Sequence, residues 1–180
     1  MLLLDIYRKY SYCDKADRLG PDMPFTHWRL HFKSLMIGLC KKKFMYFGDG
    51  AEFRAGAYAV YCTQISIGRN VIIRPNTVLM SDEFVKIIIE DNVMLGMGVH
   101  CYVNNHKFDR VDIPFIEQGY YPSAGVTIKE GAWIGANSII LPGVTIGRNS
   151  VVGAGSVVTQ DIPDFCVAVG NPARVIKRLD

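Results

Sequence analysis

Histidine titrates near pH 6.5, so it is the side chain best suited to take up a proton at neutral pH. This chain has four: His27, His31, His100 and His106. His106 stands in the segment Tyr102-Val103-Asn104-Asn105-His106-Lys107-Phe108-Asp109, after two amides and three residues before a carboxylate. That setting suits general-base chemistry, in which imidazole takes a proton from an attacking group while a neighbour orients its second nitrogen. Asp109, Glu117, the Asn105 amide oxygen and a backbone carbonyl are all candidates for the orienting partner, and spacing does not choose among them. His27 and His31 fall on a predicted N-terminal helix and read as surface or capping residues, while His100 reads as structural. A catalytic zinc site needs three protein ligands and an open position. His100 and His106 lack a third histidine in the repeat region, so no metal is expected.

The five cysteines (Cys13, Cys40, Cys62, Cys101, Cys166) are scattered singly, without a CxxC pair. An odd count without framework spacing points to free thiols, a reducing compartment and hence the cytoplasm. A net charge of +3 over 180 residues, with no aromatic-basic stripe, argues against a nucleic-acid partner. The apolar start Met1-Leu2-Leu3-Leu4 stops at Asp5, too short for a signal-peptide core or an integral membrane segment.

The elements that must position these residues show as a period of six. Aliphatic residues recur at Ile128, Ile134, Ile140, Ile146, Val152 and Val158. The same rule gives Phe47, Phe53, Ala59, then Ile67, Ile73, Leu79, then Ile89, Leu95, Cys101. Helices repeat at three and four and plain strands at two, so neither sustains this spacing. Three hexads per turn make five coils, at 47–64, 67–84, 89–106, 128–145 and 146–163, with lead residues pointing inward. The expected fold is therefore all-β, a parallel β-helix over residues 47–163 with an inserted loop at 107–127. Residues 1–46 form a helical cap, with Thr26 as N-cap of a helix over 26–40 whose inner face carries Trp28, Phe32, Leu35 and Leu39. Residues 164–180 form a strand and a short basic helix over Ala173–Leu179.

The fourth residue after each lead is small at most corners, but Glu83 and Asn105 break that rule on adjacent coils. An insertion follows each. Polar corners beside a long loop mark a candidate site; the plainer alternative is a coil that loosens where its insertion begins. Pro114, Pro122 and Tyr120-Tyr121 in the loop 107–127 could form one wall of a pocket.

These repeats, with the tail Val169-Gly170-Asn171-Pro172-Ala173-Arg174-Val175-Ile176, resemble the left-handed β-helix hexapeptide-repeat acyltransferases. The pattern is similar to galactoside and maltose O-acetyltransferases and to enzymes that acetylate bacterial surface polysaccharides. The resemblance covers residues 47–178. It alone supplies the hand, since parallel crossovers are right-handed in about 98% of cases. It implies a homotrimer with active sites between subunits, acetyl-CoA as donor, a carbohydrate-like acceptor and His106 as general base. Asn104, Asn105, Asp109, Glu117 and Glu83 become acceptor-side or orienting candidates. Trp133 is implied as a packing wall at the thioester, the Ala136 N–H as an oxyanion donor, and Ala154 and Thr159 as contacts of the pantetheine arm. Arg174 and Lys177 are implied to meet the nucleotide phosphates. Two departures stand out: Ala136 replaces a serine of some relatives, and Gln160 a frequent lysine.

The expected function is acetyl-CoA-dependent O-acetylation of a sugar or polysaccharide-precursor hydroxyl, by direct transfer in a ternary complex. An N-acetyltransferase of an amino sugar or antibiotic, a metal enzyme of the γ-carbonic-anhydrase type, and a non-catalytic β-helix scaffold are the alternatives.

Overall fold

The fifteen lead residues, Phe47 through Val158, are all buried in the computed structural model, which describes residues 2–179. Met1 and Asp180 lie outside those residues. The leads stack into three internal columns set by strand register. One runs Phe47, Ile67, Ile89, Ile128, Ile146. The second runs Phe53, Ile73, Leu95, Ile134, Val152, and the third Ala59, Leu79, Cys101, Ile140, Val158. Each column backs one parallel sheet, so the coils form a three-sided prism. The third column backs the first sheet, which holds Tyr58–Val60, the first column the second sheet, which holds Tyr46–Phe47, and the second column the third sheet, which holds Glu52–Phe53. Every buried Ile, Leu or Val side chain contributes about 1.5–3 kcal/mol to folding, and each coil covers what its neighbour would expose.

The corners turn on the third residue after each lead. Eleven of those fifteen residues have positive φ, and they are five asparagines (Asn70, Asn76, Asn92, Asn137, Asn149) and six glycines. Asparagine and glycine enter the left-handed region most easily. The four exceptions, Cys62, Asp82, Asn104 and Asp161, all follow leads of the third column. That corner, between the first and second sheets, is where the chain slips and where the long loop leaves. Serines fill several buried corners and bind the coils together: Ser138 Oγ donates to Gly135 O at 2.9 Å or Gly153 O at 3.0 Å. At Gly135 an added Cβ would lie 2.4 Å from Ala154 N in the next coil, so no side chain fits there.

The helical cap differs from the expectation of one helix over 26–40. It consists of α1 (Leu2–Lys15), α2 (Pro24–His27), a 3-10 turn (Trp28–His31) and α3 (Lys33–Lys43). Thr26 does not cap a helix; it lies inside α2, its Oγ1 donating to Met23 O at 3.2 Å. Phe32 is extended and breaks the run, which rotates the following turn. Trp28, Phe32 and Leu35 are consequently exposed, and Leu30, Met36, Leu39 and Cys40 face the first coil. Lys43, buried at 7% exposure, reaches back to the carbonyls of Cys13, Asp14 and Ala16 and closes the C-terminal end of α1.

The tail also departs from expectation. Ala173–Arg178 is a strand, not a basic helix, and pairs antiparallel with Cys166–Gly170. The last parallel strand of the third sheet would otherwise present an open edge, and Val175 and Ile176 favour extended backbone. At the other end Arg18–Leu19 pairs antiparallel with Tyr58–Val60.

Candidate active site

His106 emerges at the root of the inserted loop, just past the third coil. Its backbone bridges Tyr120, and this antiparallel contact is flanked by Lys107 N to Gly119 O at 2.9 Å and Tyr121 N to Asn105 O at 3.0 Å. The two ends of the loop are thereby held side by side. Across the bridge the imidazole and the Tyr120 ring pack with centroids 4.1 Å apart and planes tilted by 32°.

The exposed imidazole opens on a cavity of about 450 Å³ lined by Met80, Tyr102, Asn104, Asn105, Tyr120, Ile139, Leu141 and Pro142. Its walls are mostly apolar, with Asn104, Asn105, His106 and two tyrosines supplying the polar groups. The structure therefore brings together three of the expected residues, His106, Asn104 and Asn105, with Tyr120 as the expected aromatic wall. Asp109 is engaged elsewhere, accepting a hydrogen bond from Tyr121 Oη, a contact that pushes the Tyr121 phenol up. Glu117 ends an exposed 3-10 turn, Phe115–Glu117, and Glu83 is exposed to solvent; neither lines the cavity. His100 lies on a sheet face, its Nδ1 2.7 Å from Tyr102 Oη.

Asp82, which the small-residue rule does not mark, is a further polar residue of this corner. Its Oδ1 accepts from the backbone N–H of Phe84 at 2.9 Å and of Val85 at 3.1 Å. Its Oδ2 accepts from Asn104 Nδ2 at 3.3 Å and from Ser123 Oγ. Burial pulls this carboxyl upward, yet the hydrogen bonds from Ser123, Phe84, Val85 and Asn104 outweigh it and hold the group below the usual carboxylate range. A signal was available: Asp82 sits three residues after a lead of the third column, where most corners carry asparagine or glycine, and Asn104 holds the same place one coil on. Glu83 and Asn105, singled out in the sequence, are each one residue too far along.

The donor-side candidates lie on other surfaces. Trp133 is half exposed on the outside of the third sheet, between Met94 and Val151. Val151 pairs with Val167, and Val167 with Lys177, so Trp133 and Lys177 share one outer ladder. A register shift opposite Val167 and Ala168 lets both Arg174 and Lys177 stand across from outward-facing residues, Val169 and Val167. At the next corner Ala136 and Ala154 follow one another on successive coils, and the Ala136 N–H has no hydrogen-bond acceptor among the described residues. Gly155 has nothing within 4 Å of an added Cβ, which leaves its backbone open to a close-lying chain. Thr159 is exposed one step beyond the Ile140–Val158 pair, in line with Leu141 at the cavity.

A solenoid that carries an exposed imidazole at one corner and a row of small residues at another has parts that group transfer can use. Residues 125–160 match the bacterial transferase hexapeptide (six repeats) family. The galactoside O-acetyltransferase of Escherichia coli (strain K12) is 39% identical over 142 residues, 79% of this chain and 68% of that one. The solved structure of a galactoside acetyltransferase in complex with coenzyme A superposes with a TM-score of 0.76 at 32% identity, covering 98% of this chain and 80% of that chain. A dTDP-3-amino-3,6-dideoxy-α-D-galactopyranose 3-N-acetyltransferase of Aneurinibacillus thermoaerophilus is 54% identical over 48 residues, 27% of this chain and 25% of its own length. The chain belongs to the hexapeptide-repeat acetyltransferases, and its coils are those of the left-handed β-helix.

Proposed function

We propose that this acetyltransferase moves the acetyl group of acetyl-CoA to a hydroxyl of a sugar or polysaccharide precursor, with His106 as general base. The observation that carries the reading is the cavity at the loop root, which His106, Asn104 and Asn105 line together with apolar side chains. In the reaction the acceptor oxygen attacks the thioester carbonyl and its proton passes to His106. A carbon–oxygen bond forms, the carbon–sulfur bond breaks, and the departing thiolate takes up a proton. Asn104 and Asn105 supply hydrogen bonds to acceptor hydroxyls. The Ala136 N–H stabilises the developing oxyanion, a contribution that grows where water is excluded. Trp133, Ala154 and Thr159 border the pantetheine arm, and Arg174 and Lys177 meet the phosphates.

The working form in this reading is a homotrimer in the cytoplasm. Ala136 lies at the corner that Asn137 turns, and Leu141 lies beyond the strand Ile139–Ile140 that follows, at the next corner. A single chain thus holds base and oxyanion donor on different corners, and a neighbouring subunit is the natural way to bring the two surfaces together. Five reduced, buried cysteines agree with the cytoplasm.

The test is release of coenzyme A measured against a panel of sugars, amino sugars and nucleotide sugars. Turnover with hydroxyl acceptors supports the proposal. Turnover confined to amino sugars favours N-acetylation, the reaction named for the Aneurinibacillus relative. Failure to bind acetyl-CoA at all removes the reading.

A further inference from the structure

We propose that Tyr120 is the positioning residue for His106, taking through ring packing the part that a carboxylate takes in other base-bearing sites. The inference rests on His106 being the base. An exposed imidazole rotates about two side-chain torsions, and a base left free to do so is seldom aimed at its proton. The carboxylates expected to prevent this do not: Asp109 is bound to Tyr121, while Glu117 and Glu83 stand outside the cavity. What meets the imidazole is the face of Tyr120, with centroids 4.1 Å apart, closer than the 4.5–7 Å usual for aromatic pairs.

The backbone makes that contact dependable. His106 and Tyr120 are directly opposed across an antiparallel bridge, the arrangement in which two side chains stand on one face. Hydrogen bonds on both sides of the bridge, Lys107 N to Gly119 O and Tyr121 N to Asn105 O, hold the register. Ser123, three residues beyond Tyr120, is tied to Asp82 in the coil beneath, so the tyrosine is anchored from the solenoid as well. The π face also favours a neighbouring cation, and the imidazolium that forms on proton transfer is one.

The experiment is a double-mutant cycle on kcat with acetyl-CoA and a good acceptor, joined to NMR of the His106 ring. Tyr120→Ala is expected to lower kcat about 10- to 100-fold and to leave the acetyl-CoA KM unchanged. Tyr120→Phe, which keeps the ring, should recover the rate to within about threefold of native. In the His106→Ala background, Tyr120→Ala should have no further effect, because it acts only through the imidazole. The native protein should show ring-to-ring nuclear Overhauser contacts between His106 and Tyr120, and Tyr120→Ala should show increased imidazole mobility. Equal loss in Phe and Ala, or the same loss with His106 already removed, overturns the proposal in favour of a direct role for the hydroxyl. If His106→Ala keeps native kcat, the general-base reading fails, whereas the NMR contacts report on the packing independently.

Discussion

Asn104 Nδ2 donates to Asp82 Oδ2 at 3.3 Å across the step between two coils. The same carboxylate holds Ser123, where the inserted loop returns, and the N–H groups of Phe84 and Val85, where the earlier insertion begins. One buried acid thus joins the two longer interruptions of the solenoid to the residue two places before His106. Four donors on one carboxylate are a large share of what fixes this corner, since the usual left-handed turn is missing here.

Asp82→Ala should lower the unfolding free energy at pH 7 by about 1–3 kcal/mol, the typical effect of stranding buried donors. The folded-state carboxyl lies below its ordinary value. Its contribution is therefore present above the unfolded carboxylate range and lost as pH falls through the folded value. Urea unfolding at pH 7 and below pH 4 should show the gap between wild type and variant narrowing in acid. A gap independent of pH would mean that the charge of Asp82 contributes nothing.

His106→Ala should reduce kcat by about 10²–10⁴, the usual worth of general-base catalysis. The KM for acetyl-CoA should hardly move, because the imidazole lies at the acceptor end. Initial rates of coenzyme A release check both, and a native kcat in the variant removes the assignment.

The double variant Arg174→Ala, Lys177→Ala should raise the KM for acetyl-CoA and spare that for the acceptor. Both side chains are exposed, so the effect should be about tenfold or less and should shrink with added salt. A change confined to the acceptor KM would put the nucleotide on another surface.

Lys43→Met should destabilise the cap by about 2–4 kcal/mol, since carbonyls at the end of α1 lose a charged donor in a buried place. Thermal unfolding and limited proteolysis of residues 2–15 would register it. A melting temperature matching wild type would show that α1 closes without Lys43.

The solenoid was legible because a buried lead every six residues has no other periodic explanation, and all five coil ranges carry their leads inward. The third-column corner was half legible. Glu83 and Asn105 drew attention for breaking a small-residue rule, but the pair that stacks is Asp82 and Asn104. The stronger rule, asparagine or glycine three residues after a lead, marks Asp82 together with Cys62 and Asp161, whereas Asn104 obeys it and shows no departure in the sequence. The cap was least legible. Its helices take their inward faces from the first coil, and an extended Phe32 resets the phase of any helical pattern read across it. At the tail, Arg174, Lys177 and Arg178 have helix-like spacing, yet pairing with Cys166–Gly170 decides the outcome, and no local pattern encodes an available sheet edge.

The two antiparallel pairings at the ends, Arg18–Leu19 on the first sheet and Ala173–Arg178 on the third, bear on how copies of the chain can meet. A stack of parallel coils is a growing surface: its last rung offers the hydrogen bonds that another rung would use. An antiparallel strand laid on that rung uses them and presents the wrong polarity to a newcomer. Each pairing covers one of the three sheet edges at its end of the solenoid, so on that side the stack no longer offers a bare parallel template to a second copy.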